Sequence, residues 1–337
     1  MDEQGWTAVV AAATRAPSIH NTQPWRFVAA PDRLELHLDP ARALPVLDPT
    51  ARQQVISCGA AAEFAVVALR AAGHRAEAEL LPDPADPDHL VSVHVGPPRE
   101  VTEEDRVLAE AIGRRHTDRA PFRPRAVPVG LVDRLQEDAA AVDVWLKPIT
   151  ASDEEVATVF LISRAEEMER SDPEYLAELK GWLRTDPAAA DGVPVVAVPS
   201  EDPATRPSNW LIRDFVVGSR GPQSAFLPPG DPDAPPPAVE RPSVVLLGTN
   251  SDDRTAWLLA GRALGRLLLV ATAEGLVASP LTQALDWPAT RTRMRTRLSL
   301  VGYPQMLLRM GYPATAPTAT AGRRPVAEVL SFAPGTG

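Results

Sequence analysis

Hydrophobic and polar positions follow two rhythms along this chain, one helical and one of period two, and the switches between them mark its elements. Residues 5–14 place Trp6, Val9 and Val10 at helical spacing and predict a short helix. Residues 26–29 and 33–38 then read as strands. In the second, Leu34, Leu36 and Leu38 alternate with Glu35 and His37, which predicts a hairpin with His37 on the polar face, in solvent. Residues 52–72 draw a stripe of Val55, Gly59, Ala62, Val66 and Leu69, with Gly73 as the stop. Small residues at Ser57, Cys58, Gly59, Ala60 and Ala61 leave room for another element to pack closely. Alternation returns over 75–81 and 90–95, separated by a Pro/Asp-rich turn at 82–87.

Residues 103–113 predict a helix with acidic residues at its start, as the helix dipole favours. Helices over 131–138 and 153–170 flank a strand at 142–148. Residues 243–248 form a continuous apolar run and predict a buried strand, after which Asp252 or Asp253 caps a helix over 254–274. Gly261 and Gly265 in that helix permit close approach of a neighbour. Arg291, Arg293, Arg295 and Arg297 fall on two adjacent stripes of a later helix, which predicts a solvated basic face. Between about 186 and 241 the prolines crowd, from Pro194 to Pro237, with Trp210, Phe215 and Phe226 among them. A stretch this long without periodicity predicts a loop, and its aromatics predict a lid packed over a pocket.

Composition narrows the function. The chain has 337 residues, 45% of them hydrophobic, enough for one large or two ordinary domains. The 34 basic and 44 acidic residues give 34 − 44 = −10, which argues against nucleic acid or an anionic membrane as a general partner. Cys58 is the single cysteine, so no intrachain disulfide and no thiolate metal cluster can form, and no metal is expected. The acidic start, and the lack of an apolar run near the roughly 18 to 20 residues of a membrane span, predict a cytoplasmic protein.

Two stretches carry the chemistry. Residues 15–27 read RAPSIHNTQPWRF: Pro17 stops the incoming helix, and Ser18, Asn21 and Gln23 offer hydroxyl and amide groups on irregular backbone before a strand. Such a loop either hydrogen-bonds the edge of a flat heteroaromatic ligand or merely closes a helix C-terminus. Residues 114–122 read RRHTDRAPF, and an extended segment would turn Arg115, Thr117 and Arg119 to one side, two guanidinium forks and a hydroxyl suited to phosphate oxygens. A solvated basic turn is the alternative.

Ala16-Pro17-Ser18, Asn21, Gln23-Pro24-Trp25 and Phe27 together resemble the APSxxNxQPWxF motif of the flavin-dependent nitroreductase superfamily, and His20 within it is closest in spelling to the Acg branch. Residues 115–122 resemble that family's R-x-[ST]-x-[RK]-x-F signature, with Pro121 inserted before Phe122. Residues 275–282, GLVASPLT, are similar to the turn beside flavin N5, and Gly322-Arg323-Arg324-Pro325 to the closing arginine. The resemblance implies an α+β nitroreductase-like fold and FMN as cofactor, with NAD(P)H as co-substrate. It implies FMN contacts from Pro17, Ser18, Asn21 and Gln23; phosphate contacts from Arg115, Thr117, Arg119 and Arg323, with Arg324 as second choice; and ring contacts from Pro280, Leu281 and Thr282. No side chain is implied as catalytic, because the flavin carries the hydride.

Ordinary members carry both motifs in each subunit of a homodimer. This chain has the loop only in its first part and the arginine signature only in its second. Two fused degenerate copies, residues 1–100 and 101–337, are therefore expected, forming an internal pseudo-dimer around one FMN, with a further homodimer left open. Three functions follow from the resemblance: hydride transfer from NAD(P)H to a nitro, quinone or enone acceptor; FMN sequestration with little turnover; or dehydrogenation of a biosynthetic intermediate.

Overall fold

The computed structural model describes residues 1–186, 188–197, 240–316 and 320–333. Most of the stretch expected to form a lid, residues 198–239 with Trp210, Phe215 and Phe226, lies outside these residues. The chain begins with α1 (Glu3–Ala13), β1 (Trp25–Ala29), β2 (Arg33–Leu38), α2 (Arg52–Ala71), β3 (His74–Leu80), β4 (His89–Pro98) and α3 (Glu103–Arg114). Next come α4 (Val129–Ala140), β5 (Trp145–Ile149), α5 (Ser152–Ser171), α6 (Pro173–Gly181), β6 (Leu183–Arg184) and β7 (Val193–Pro194). The remainder is β8 (Ser243–Thr249), α7 (Arg254–Ala273), β9 (Val277–Pro280), α8 (Gln283–Asp286), α9 (Pro288–Arg297), β10 (Tyr303–Gly311), α10 (Val326–Val329) and β11 (Leu330–Phe332). This is the α+β arrangement the pattern predicts.

Two sheets organise it. The first has five strands in the order β11-β1-β2-β4-β3, and the second four in the order β5-β8-β10-β9. The hairpin β1-β2 pairs antiparallel with Phe27 opposite Leu36, so Leu34, Leu36 and Leu38 turn inward together. The last strand, β11, returns across the molecule and pairs parallel with β1, Phe27 opposite Leu330. The C-terminal tail is thereby tied to the N-terminal sheet.

Helices α2 and α7 cross at the centre, and glycine sets their separation. A Cβ on Gly261 would lie 2.1 Å from the carbonyl oxygen of Ile56, and one on Gly59 would lie 2.4 Å from that of Leu258. Further along, a Cβ on Gly265 would meet Ala60 O at 3.2 Å, while Arg262 pairs with Glu63 at 3.1 Å, so the contacts advance together along both helices. Gly261→Ala is expected to lower stability by roughly 1–3 kcal/mol or more, since backbone on the facing helix cannot give way as a side chain would. Urea denaturation measures this; an unchanged midpoint would mean the helices do not meet here.

Both helices are 20 residues long and apolar enough, by length and mean hydropathy, to span a bilayer, which a search for an uninterrupted apolar run does not register. Here they lie mostly buried in the protein core. Cys58 is buried in α2 with Sγ 3.4 Å from Pro24 O, and burial pushes its thiol well above the usual range, so it is a packing residue.

Two expectations about polar residues are corrected. His37 does lie on the outward face of its strand, yet its side chain is only 17% exposed and stacks on His89 with ring centroids 4.4 Å apart. The arginines of α9 divide. Arg293 and Arg297 are exposed, but Arg291 grips Asp252 with both terminal nitrogens at 2.8 Å, and Arg295 donates to Gly302 O at 2.9 Å while lying over the Tyr303 ring. The two stripes were legible in the sequence; which one faces protein was not. Of the two candidate caps, Asp253 accepts from Ala256 N and caps α7, which frees Asp252 for Arg291.

Candidate functional site

The loop after α1 is held in an unusual conformation. Ser18 Oγ accepts from Gln23 N at 2.9 Å, and Ser57 Oγ on α2 accepts from Ile19 N at 3.1 Å. Between these tethers His20, Asn21 and Gln23 adopt φ values of 45°, 55° and 51°, in the left-handed region where non-glycine residues are uncommon. Such strain persists only where surrounding bonds over-determine the backbone, and it clusters at functional sites.

Helix α2 enters beside this loop through a buried acid. Asp48 accepts from Gln53 N at 3.2 Å and Gln54 N at 2.9 Å, replacing the cap that Ala51 cannot supply. Burial pushes the Asp48 carboxyl up to about 6, although the two N–H bonds and Arg52 oppose it. The capped first turn sets Gln53, Ile56 and Ser57 against the loop, and Asp286 accepts from Gln53 Nε2 at 2.8 Å.

Arg115 ends α3, and the segment after it pairs with β9 through a parallel bridge between Thr117 and Ala278 and a bond from Asp118 N to Ala278 O at 3.1 Å. That pairing brings Thr117 and Arg119 beside Pro280 and Thr282, joining two motifs more than a hundred and fifty residues apart. The C-terminal tail delivers Arg323, which donates to Asn21 Oδ1 at 3.0 Å and to the carbonyl oxygens of Arg15 and Ala16 at 3.2 and 3.3 Å.

These elements enclose two contiguous cavities that share Pro17, Ser18, Arg115, Thr117 and Arg119 in their walls. One end is cationic, with Arg15, Arg115 and Arg323 converging, and no Asp or Glu among the described residues lines either cavity. The other end is apolar, walled by Ile56, Leu264, Leu268, Ala278, Met306 and Leu308. Burial, and then Arg15, pull Arg115 down to about 10; burial, then Arg115 and Arg15, pull Arg323 down to about 9. Nε of each is shielded from solvent without a hydrogen-bond partner. A base whose folded pKa lies below its unfolded one destabilises the fold while protonated. The cost is therefore fully present at neutral pH and falls only as pH rises past about 9. An anion bound at this end offsets the same cost.

The structure brings Pro17, Ser18, Asn21, Arg115, Thr117, Arg119, Pro280, Thr282 and Arg323 to the cavity walls. It does not bring Gln23, Leu281 or Arg324 there. Gln23 is fully buried and spends its amide on Ala190 O at 2.7 Å and Arg324 N at 2.8 Å, clamping two remote segments to the loop. Leu281 packs into a separate small core while its N–H donates to Leu307 O at 2.9 Å. Arg324 turns to Asp39 and Glu328, each at 3.6 Å. Sequence reasoning missed Arg15, His116 and Gln53. For Arg15 the available signal is its place directly before Ala16-Pro17; for Gln53 there is none, because its role depends on Asp48 and Asp286.

No family model matches the chain. A Mycobacterium tuberculosis protein named "Putative NAD(P)H nitroreductase Rv3131" is 37% identical over 336 residues, covering 98% of this chain and 92% of the relative. "Putative NAD(P)H nitroreductase acg" of the same organism is 32% identical over 328 residues, covering 96% and 94%. Among solved structures, the FMN-dependent nitroreductase NfnB from Mycobacterium smegmatis, in complex with NADPH, is 15% identical with a TM-score of 0.41, covering 69% of this chain and 100% of that one, a likeness too slight to carry an argument.

Proposed function

The chain belongs to the same family as Rv3131 and Acg, the NAD(P)H nitroreductase family, and from that premise we propose that it is an oxidoreductase holding one FMN per chain in the arginine-ended cavity. The observation that carries this reading is the pair Arg115, buried, and Arg323, half-buried, both without an ion pair among the described residues, facing a cavity whose far wall is apolar. A phosphate on one end and a flat ring on the other match that polarity.

FMN, when bound, supplies hydride transfer from NAD(P)H to a nitro, quinone or enone acceptor in a ping-pong cycle. The chain's own residues do the rest. Arg115, Thr117, Arg119 and Arg323 hold the phosphate, and Arg15 adds to the positive field. Ser18 and Asn21 fix the loop rather than float free, since their polar atoms already bond Gln23, Gly192, Gly322 and Arg323. Ile56, Leu264, Leu268 and Met306 exclude water from the ring's side of the cavity.

We read the molecule as two fused, degenerate copies, residues 1–100 and 101–337. Supporting this are the matched lengths of α2 and α7, 20 residues each, their crossing at Gly59 and Gly261, and a cavity to which both parts contribute walls. An arginine-ended cavity shared by both parts of the chain would hold one FMN per chain. The test is to denature purified protein of known concentration, identify the released flavin by chromatography and count it. One FMN per chain is expected; two per chain, or FAD, would overturn the fused-copy reading. Stopped-flow reduction with NADH and NADPH then separates an enzyme from a carrier, since a carrier that sequesters FMN is reduced slowly by both.

A further inference from the structure

We propose that the outward face of the five-stranded sheet carries a binding site for a divalent transition metal of the zinc type, with Glu35, His37 and His89 as its ligands. None of the three lines the arginine-ended cavity, so the inference stands apart from the flavin reading.

The site is made by register. Strands β2 and β4 pair antiparallel, and an irregularity between Leu36 and His37 shifts the pairing so that His37 falls opposite His89. The two imidazoles stack at 4.4 Å between centroids with their planes 22° apart. Glu35, two residues before His37 on the same face, places Oε2 3.5 Å from His37 Nε2. Its other oxygen, Oε1, is occupied by Arg33 at 2.7 and 2.8 Å, which aims the carboxylate and leaves Oε2 for the histidine side.

One ligand atom from each residue lies within 4.8 Å of the others. Zinc bonds of about 2.0–2.2 Å put tetrahedral ligand atoms about 3.3 Å apart. The Glu35–His37 edge, at 3.5 Å, is already close to that length, and only His89 has to draw in. His37 Nε2 is shielded from solvent and makes no hydrogen bond, an open lone-pair position beside a carboxylate. On the ring's other side Asp86 Oδ2 lies 3.5 Å from Nδ1, where an outer carboxylate fixes the tautomer of a metal-bound histidine and raises its basicity. Ser92 Oγ, 3.0 Å from His89 Nε2, steadies the second ring. Two imidazoles with one carboxylate suit zinc, nickel, cobalt or ferrous iron, not calcium or magnesium, which require oxygen ligands.

The experiment uses the full-length flavin-loaded protein after dialysis against a chelator. It titrates Zn²⁺ by calorimetry and follows Co²⁺ by its visible absorption. One Zn²⁺ per chain is expected, with Kd on the order of micromolar or tighter. His37→Gln and His89→Gln should each weaken binding about tenfold or more. His94→Gln, on the same face but paired with Glu79, should leave it unchanged. Zn²⁺ should also raise the melting temperature of the parent protein and of His94→Gln but not of His37→Gln, which keeps the assignment testable if a variant is less stable. Absence of saturable binding, or equal loss from all three substitutions, would overturn the site.

Discussion

Arg115→Ala is expected to weaken FMN binding by about tenfold to a hundredfold or more while leaving the apo-protein folded. A charge-assisted hydrogen bond contributes roughly 1.5 to 3 kcal/mol, and Arg115 is buried at the cationic end of the cavity. Its only hydrogen bond among the described residues goes to Arg15 O at 3.0 Å, so truncation leaves no buried carboxylate behind. The lowered pKa of Arg115 means that the charged group opposes folding at neutral pH, so its removal offsets part of the packing lost on truncation. Quenching of free FMN fluorescence on titration with apo-protein measures the affinity, and urea denaturation measures the stability. Arg293→Ala is the control, because Arg293 is exposed on α9. Arg295 would be a poor one, since it braces Gly302 and covers Tyr303. Equal loss of FMN from Arg115→Ala and Arg293→Ala would mean that the phosphate lies elsewhere.

The second large effect is expected at Arg309, in the middle of β10. Arg309 and Glu240 form an ion pair at 2.9 Å with both side chains 0% exposed. The same guanidinium donates to Arg119 O at 3.0 Å and Ala120 O at 2.9 Å, and Glu240 accepts from Phe122 N at 2.6 Å. The pair therefore lashes segment 119–122 to the second sheet. Arg309→Met takes the guanidinium away from a buried carboxylate and two carbonyl oxygens, and should cost about 3 to 5 kcal/mol of stability. FMN affinity should fall with it, as Arg119 loses its anchor. Adding Glu240→Gln to Arg309→Met should recover part of the stability but not the affinity, because the neutral side chain removes the buried charge that has lost Arg309 without restoring the lash. Denaturation of the two single variants and the double variant completes the cycle. A loss under about 1 kcal/mol from Arg309→Met would contradict the buried pair.

Arg309 also shows where sequence reading runs out. A lone arginine inside the run Met306, Leu307, Leu308, Met310 is visible as an interruption, yet nothing local says that Glu240, 69 positions earlier, will meet it. His37 is similar. Its alternation with Leu36 and Leu38 places it outward, as observed, but whether outward means solvated depends on what β4 sets beside it, and β4 sets His89 there. Gln23 and Arg324 sit within matched motifs and still face away from the cavity, because each finds a nearer partner: Ala190 O for one, Asp39 for the other.

Local pattern along the chain dictates the elements and the kind of chemistry. Helix α2 and strand β2 follow from periodicities a few residues long, set by backbone geometry within each segment, and Pro17 stops α1 for a reason confined to its own ring and the missing N–H. The grouping of Arg115, Thr117 and Arg119 was likewise local, being three neighbours on one segment. It took the folded chain to turn Arg324 away to Asp39 while Arg323 faces the cavity, to bring Arg15 into the cluster, and to make the stripe of Arg291 and Arg295 structural. Each of those outcomes is a choice between chemically equal side chains. Such a choice is settled by which carboxylate, carbonyl or empty space lies within hydrogen-bond reach, and that depends on segments tens to hundreds of residues away along the chain.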